Sequence, residues 1–408
     1  MNKNHIDGKW WVSPSNYDEE VTSKFNFPAK IEFLDTTLRD GEQQPSIILT
    51  KNEKVEIAKK LSMAGVQRIE AGTPAVLKED AEAIREISSL GLDAKIFAFV
   101  RNMEKDMKLA KECGVDGVIA EMIGSEHLLR YGKKWEVDRA VKASIEATLA
   151  AKEMGLYVSY FPADSSRAEM DYLLDFIHKV KEGGHIDSVA LVDTFGVLSP
   201  EGAAHRVSKM KKQFPDLPIE VHFHDDFGMG VSTTIAGLAA GAEVAHVTVN
   251  GIGERAGGAQ LEAVALGLEA LYGVDSGVDM TQFKELSRFV ADICRVPVAP
   301  TKPIVGDKIF LWETGLPSSL WENCKNVDPL IMLPYHWSLT GQNEPYLLLG
   351  KKSGKDNLRV WLEANEIRVN EEDYPELLNR VKVKSYNEKR DITTEEFIAI
   401  IKDWQASR

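Results

Sequence analysis

The stretch IEFLDTTLRDGEQQP, residues 31–45, leads into KNEKVEIAKKLSMAG, residues 51–65, and together they hold one copy of the pattern that decides the fold. Residues 31–36 are a short apolar, strand-favouring run closed by Asp and Thr. Residues 51–65 place Val55, Ile57, Ala58 and Leu61 three and four apart and end on Gly65, as an amphipathic helix with a glycine stop does. The same alternation recurs along the chain. Further apolar runs are VQRIEAG (66–72), AKIFAFV (94–100), GVIAEMI (117–123), LYVSYFP (156–162), DSVALVD (187–193), IEVHFH (219–224) and EVAHVTV (243–249). Most are bounded by Gly, Pro or Asp, the signature of buried parallel strands, and helical patterns such as AEAIREISSLG (81–91) lie between them.

Eight strand-then-helix units in roughly 250 residues match a (β/α)8 TIM barrel in count and length. A doubly wound open sheet is the alternative, but no glycine-rich dinucleotide loop follows the first strand. The G-x-G of GIGERAGG (251–258) follows the last one. Beyond Tyr272 the period breaks, RVPVAPTKPIVGDK (295–308) is rich in proline, and helical spacing returns near KDNLRVWLEAN. The expected organisation is α/β: a leader over 1–28, a barrel over 29–275, and a linker with a smaller, mostly helical C-terminal appendage over 276–408. Trp10 and Trp11 suggest that the leader docks on something.

A barrel gathers its functional side chains where the strands end. Asp40 follows the first run, and His222 and His224 end the seventh. Residues two apart in a strand face one side, so both imidazoles point the same way. If the first and seventh runs belong to one closed barrel, these three groups converge as ligands for a divalent cation. The competing reading is that the histidines pack or polar-cap the barrel. Asp225 and Asp226 read as a helix cap, with Asp225 alternatively orienting a ligating imidazole. Arg39 and Gln43 flank Asp40, and a cation there would stabilise charge developing on a reacting oxygen; its bland alternative is a pair with Asp40 or Glu42. Glu70 ends run two, Asp164, Ser165, Ser166 and Arg167 follow run five, Thr194 ends run six, and Glu254 and Arg255 follow run eight. So many polar groups at one rim point to a ligand site.

The chain has 408 residues, 63 acidic against 49 basic, and a formal net charge of -14. That balance argues against nucleic acid or an anionic membrane as partner. No apolar run is long enough to span a bilayer, and the first twenty residues lack the apolar core of a signal peptide. Cys113, Cys294 and Cys324 show no C-x-x-C spacing, which fits buried thiols in a reducing cytoplasm.

Taken together, DTTLRDGEQQP (35–45), IEAGTP (69–74), DTFGVLSP (193–200), HFHDDFG (222–228) and VNGIGERAGG (249–258) resemble the DRE-TIM metallolyase superfamily. Within it the chain is most similar to the synthases that make 2-isopropylmalate, citramalate and homocitrate. VPVAPTKPIVGDKIF (296–310) and LLLGKKSGKDNL (347–358) extend the likeness past the barrel. The resemblance implies an acyltransferase that condenses an acyl-CoA with a 2-oxo acid on Mg2+, Mn2+ or Zn2+ held by Asp40, His222 and His224. It implies that Arg39 faces the oxygen that gains charge and that Glu70 bounds the substrate pocket. Gln43, Ser165, Ser166, Arg167, Thr194 and Glu254 would contact substrate, and the assembly would be a homodimer.

The sequence departs from the family pattern at Gly258, where an asparagine is usual, and at Ala163, where strand five usually ends in Glu-Asp. His127 lies two residues past Ser125, where the synthases often have a histidine three past the serine. In WETGLP (312–317), Trp312 and Pro317 replace two histidines, so either another group accepts the proton or the reaction differs. His127, Tyr335 and His336 are the substitutes on offer. Two alternatives are a carbon–carbon lyase of the hydroxymethylglutaryl-CoA lyase type, whose loop cysteine this chain lacks, and a non-catalytic barrel that binds a 2-oxo acid.

Overall fold

A computed structural model describes residues 3–408. All eight runs form strands, here β1 Glu32–Asp35, β2 Arg68–Glu70, β3 Lys95–Arg101, β4 Gly117–Ile123, β5 Tyr157–Ala163, β6 Ser188–Asp193, β7 Ile219–Phe223 and β8 Val244–Val247. They pair in parallel in chain order, and β8 returns to β1 with Val244 opposite Glu32 and Val247 opposite Asp35. The sheet is a closed barrel, as the TIM-barrel reading expects. Helices fill the connections. The helix Lys51–Met63 opens with Thr50 and Glu53 capping each other's backbone amides, and it ends before Gly65 at φ +82°.

Two compact units divide the chain, one over Pro14–Val298 and one made of the residues up to Ser13 with Ala299–Arg408. The leader read from sequence is therefore split at Ser13, and the helix Phe283–Cys294 goes with the barrel's unit. Within the barrel's unit, Tyr17 donates to the Ala270 carbonyl at 2.9 Å, and Phe25 and Phe27 pack their rings against Tyr272. Within the other unit, Trp10 is buried and bridges to Tyr335, while the amide of His336 donates to the Lys9 carbonyl. Here Trp10 docks as expected; Trp11 stays partly exposed. A helical core of Leu358, Trp361, Leu377, Phe397 and Trp404 completes that unit.

The barrel interior is apolar where Leu34, Phe97, Ile119, Phe161, Ala190, Val192 and Val244 meet. A charged group is also buried there. Fully buried Glu220 accepts from Ser188 at 2.6 Å, Ser159 at 2.8 Å and Arg68 at 3.2 Å, and lies 2.7 Å from Nε2 of His246. Burial alone would push its carboxyl up, but His246, Arg68 and Ser188 outweigh it and hold the group at about 2. A carboxyl depressed in the fold stabilises fully above its unfolded value of about 4.3, and that contribution fades as pH falls toward about 2. Glu220→Leu takes the acceptor from His246, Ser159 and Ser188, while Arg68 keeps Glu32 at 2.6 Å, and is expected to cost about 3–5 kcal/mol at neutral pH. Urea midpoints taken from pH 6 down to pH 2.5 should show the gap between wild type and variant closing below about 4. A gap independent of pH would refute this account.

Candidate active site

Strand closure brings Asp40, His222 and His224 together. All three are nearly fully buried, and their ligand atoms lie within 4.8 Å of one another. Oδ2 of Asp40 is 3.9 Å from Nε2 of each histidine, and the two Nε2 atoms are 3.3 Å apart. The loop that carries Asp40 is wound on one acceptor: the Thr36 carbonyl takes the amides of Arg39, Asp40 and Gly41 at 2.8–3.1 Å. His222 and His224 share the interior face, whereas Phe223 points outward and would lie 3.4 Å from a Cβ on Gly237.

Each imidazole is prepared to give a lone pair. His224 places Nδ1 3.1 Å from the Gly257 carbonyl, which leaves Nε2 facing Asp40. Gly257 has φ +82°, and a Cβ there would lie only 1.8 Å from the Gly251 carbonyl oxygen, so glycine alone folds this loop back onto the histidine. Burial first, then His224, Arg39 and His246, hold His222 well below its ordinary range and therefore neutral. Asp40 Oδ2 is buried without a hydrogen-bond partner. An orphaned carboxylate oxygen facing two imidazole Nε2 atoms fits a divalent cation, which such ligands hold at about 2.0–2.2 Å. The fit rests on these residues and not on Gly258, where a Cβ would be 4.0 Å from the same oxygen.

Arg39 lies beside this cluster. Its Nε donates to Glu70 at 2.7 Å and its Nη1 to Gln43 at 2.9 Å, with Asp40 Oδ1 at 3.4 Å. The guanidinium lies 4.5 Å from the Phe99 ring centre, and its Nη2 is buried with no partner. Glu70 is the main partner of Arg39; Glu42 instead takes Lys54 at 2.6 Å.

A second cluster centres on Asp164, which is fully buried and left-handed at φ +62°. It accepts from Ser125 at 2.5 Å and from Arg167 at 2.6 and 2.9 Å, and its Oδ2 is 3.0 Å from Nε2 of His127. The Asp164 amide donates to Thr194 Oγ1. The flanking serines do not match the substrate-contact expectation. Ser165 exchanges hydrogen bonds with the Val192 backbone, and Ser166 donates to Asp193 at 2.6 Å, so both hydroxyls fasten the β5–β6 corner. Asp225 accepts the Gly230 amide at 2.6 Å, the helix-cap reading. Asp226 pairs twice with Arg255, which also donates to the Thr194 carbonyl and lies 3.5 Å from Glu254. Tyr335, Trp312 and Pro317 belong to the second compact unit, where Trp312 packs on Trp321 and burial raises the Tyr335 hydroxyl to about 12. His336 accepts from the Ser338 amide there and stacks on Trp337.

Sequence reading missed Glu121, Phe99 and Phe161 as parts of this rim, and it placed Asp164 there without its partners. A signal for Glu121 was present: a carboxylate at an inward position of the otherwise apolar run GVIAEMI.

The family model described as HMGL-like matches residues 30–290. The chain belongs to this family, the DRE-TIM group. Homocitrate synthase AksA of Methanothermobacter thermautotrophicus is 35% identical over 97% of this chain and 98% of its own length. (R)-citramalate synthase CimA of Methanocaldococcus jannaschii is 38% identical over 86% of this chain and 70% of its own. Among solved structures, hydroxymethylglutaryl-CoA lyase from Pseudomonas aeruginosa superposes with a TM-score of 0.59 at 21% identity, over 65% of this chain and 94% of that one, a likeness of fold. The HMGL-like family is divalent-metal dependent, in keeping with the donor set assembled here. Among the described residues no helix is long and apolar enough to cross a membrane.

Proposed function

We propose that this chain condenses an acyl-CoA, acetyl-CoA being the simplest, with a 2-oxo acid to give a 2-hydroxy dicarboxylate and free CoA. Relatives named as synthases along nearly its whole length support condensation as the general chemistry. The observation that carries the reading is one oxygen and two nitrogens aimed at a common point beside a guanidinium with a free donor. A cation held by Asp40, His222 and His224, whether Mg2+, Mn2+ or Zn2+, would supply Lewis acidity to a keto group.

The chain's own residues supply the rest. Arg39 Nη2 donates to the keto oxygen as negative charge grows there, while Glu70 and Gln43 hold the guanidinium in place. Loss of a proton from the acyl methyl group gives the enolate, whose carbon bonds to the keto carbon, and water then cleaves the thioester and releases the thiol. Among the barrel residues, His127 takes that proton, its Nε2 paired with Asp164 and its Nδ1 left to accept. A Tyr335 hydroxyl raised to about 12 stays protonated at neutral pH and suits donation instead. Arg167, Thr194 and Glu254 bound the substrate in this reading, and the protein works as a cytoplasmic homodimer. Cleavage of the hydroxymethylglutaryl-CoA type is less well served, because the loop 249–258 holds no thiol and Cys113 and Cys294 are buried.

The test is direct. Purified protein, a divalent cation and acetyl-CoA are offered pyruvate, 2-oxoisovalerate and 2-oxoglutarate in turn, and free thiol is followed. Acid-dependent thiol release is expected with at least one of them. Its absence with every acid and cation would refute condensation.

A further inference from the structure

Glu121 is a carboxylate of the barrel's upper interior that no mechanistic role above uses. It stands on β4 opposite Phe161 of β5 and two residues beyond Ile119, and both of those side chains face the interior. Its side chain is mostly buried, yet among the described residues no hydrogen bond or ion pair takes up its carboxyl. Burial raises its pKa, opposed by the nearby charges of Lys133, Arg39 and Arg101. Those cations are engaged elsewhere: Arg39 with Glu70, Arg101 with Asp106 at 2.7 and 3.1 Å, and Lys133 over the Trp135 ring at 4.7 Å. Ala163, opposite Ile123 at the ends of β4 and β5, adds little bulk, and Phe99 and Phe161 supply an aromatic wall.

We infer that Glu121 determines specificity, selecting a 2-oxo acid whose side chain ends in a hydrogen-bond donor, a hydroxyl or an ammonium group. This rests on the condensation reading of the same site. A purely alkyl side chain would bury the carboxyl without a partner, which is costly. A side chain ending in carboxylate would set two like charges together. A donor alone satisfies the group, and sites built to hydrogen-bond a substrate discriminate strongly against analogues lacking the donor.

The experiment compares wild type, Glu121→Gln and Glu121→Leu with 5-hydroxy-2-oxopentanoate, 2-oxoisovalerate and 2-oxoglutarate. Binding is measured by calorimetry with Mg2+ present, and turnover by thiol release. Wild type should prefer the hydroxy acid by roughly tenfold or more in Kd and kcat/KM. Glu121→Leu should reverse that order in favour of 2-oxoisovalerate, with Glu121→Gln between them. An unchanged order in Glu121→Leu would overturn the assignment, as would a wild-type preference for 2-oxoglutarate. Because binding is read separately, a switch in Kd order without thiol release would uphold Glu121 while removing condensation. Stability is a second readout. Removing a mostly buried carboxyl that no protein donor takes up should leave Tm equal or higher in Glu121→Leu, and a clear fall would show the group is needed for packing instead.

Discussion

His222→Ala is expected to weaken divalent-cation binding by about 100-fold or more, since even an outer partner of a ligand is worth 10- to 100-fold. The variant keeps Asp40 and His224, but one oxygen and one nitrogen no longer enclose a point. Condensation should fall to background with it. Calorimetric titration of the cation reads the effect without reference to activity, and far-ultraviolet circular dichroism checks the barrel. Because His222 lies within the interior beside Phe161 and His246, some loss of packing accompanies the substitution. Asp40→Asn is therefore the sharper companion: it keeps the shape, removes the charge, and should weaken binding by a similar factor. Wild-type cation affinity in both variants would remove the metal centre from the proposal.

Arg39→Met should lower kcat/KM by about 100- to 1000-fold, the range seen when one donor to a developing oxyanion is lost. It should also destabilise the barrel by about 3–5 kcal/mol, because Glu70 is completely buried and its ion pair is with Arg39. Arg39→Lys separates the two effects. An ammonium can still neutralise Glu70, but it lacks the fork that reaches Glu70, Gln43 and a third acceptor at once. Stability should return in large part while kcat/KM stays low. A lysine variant with wild-type kcat/KM would show that Arg39 is a structural ion pair and not an oxyanion donor.

The barrel was legible in the sequence because its evidence is local. Strand residues alternate over two positions and helix residues recur over three or four, so eight runs and their connecting helices could be read off in order. The inward face shared by His222 and His224 follows from the same alternation. The second unit was less legible. Its elements are short and irregular, and the pairing of Trp10 with Tyr335 joins segments that no periodicity links.

At the site, the sequence by itself determined the residue types and the strand ends that carry them: Arg39, Asp40, Glu70, Thr194, His222 and His224. What each one faces was decided only by closure of the sheet, when β8 paired with β1 and set the first and seventh strand ends around one interior. Closure left Asp40 Oδ2 and Arg39 Nη2 without partners, gave Ser165 and Ser166 to the β6 strand and its end, and turned Glu121 inward among occupied cations. Whether a polar group serves structure or ligand depends on which neighbour reaches it first. That is a property of three-dimensional distance, and spacing along the chain does not encode it.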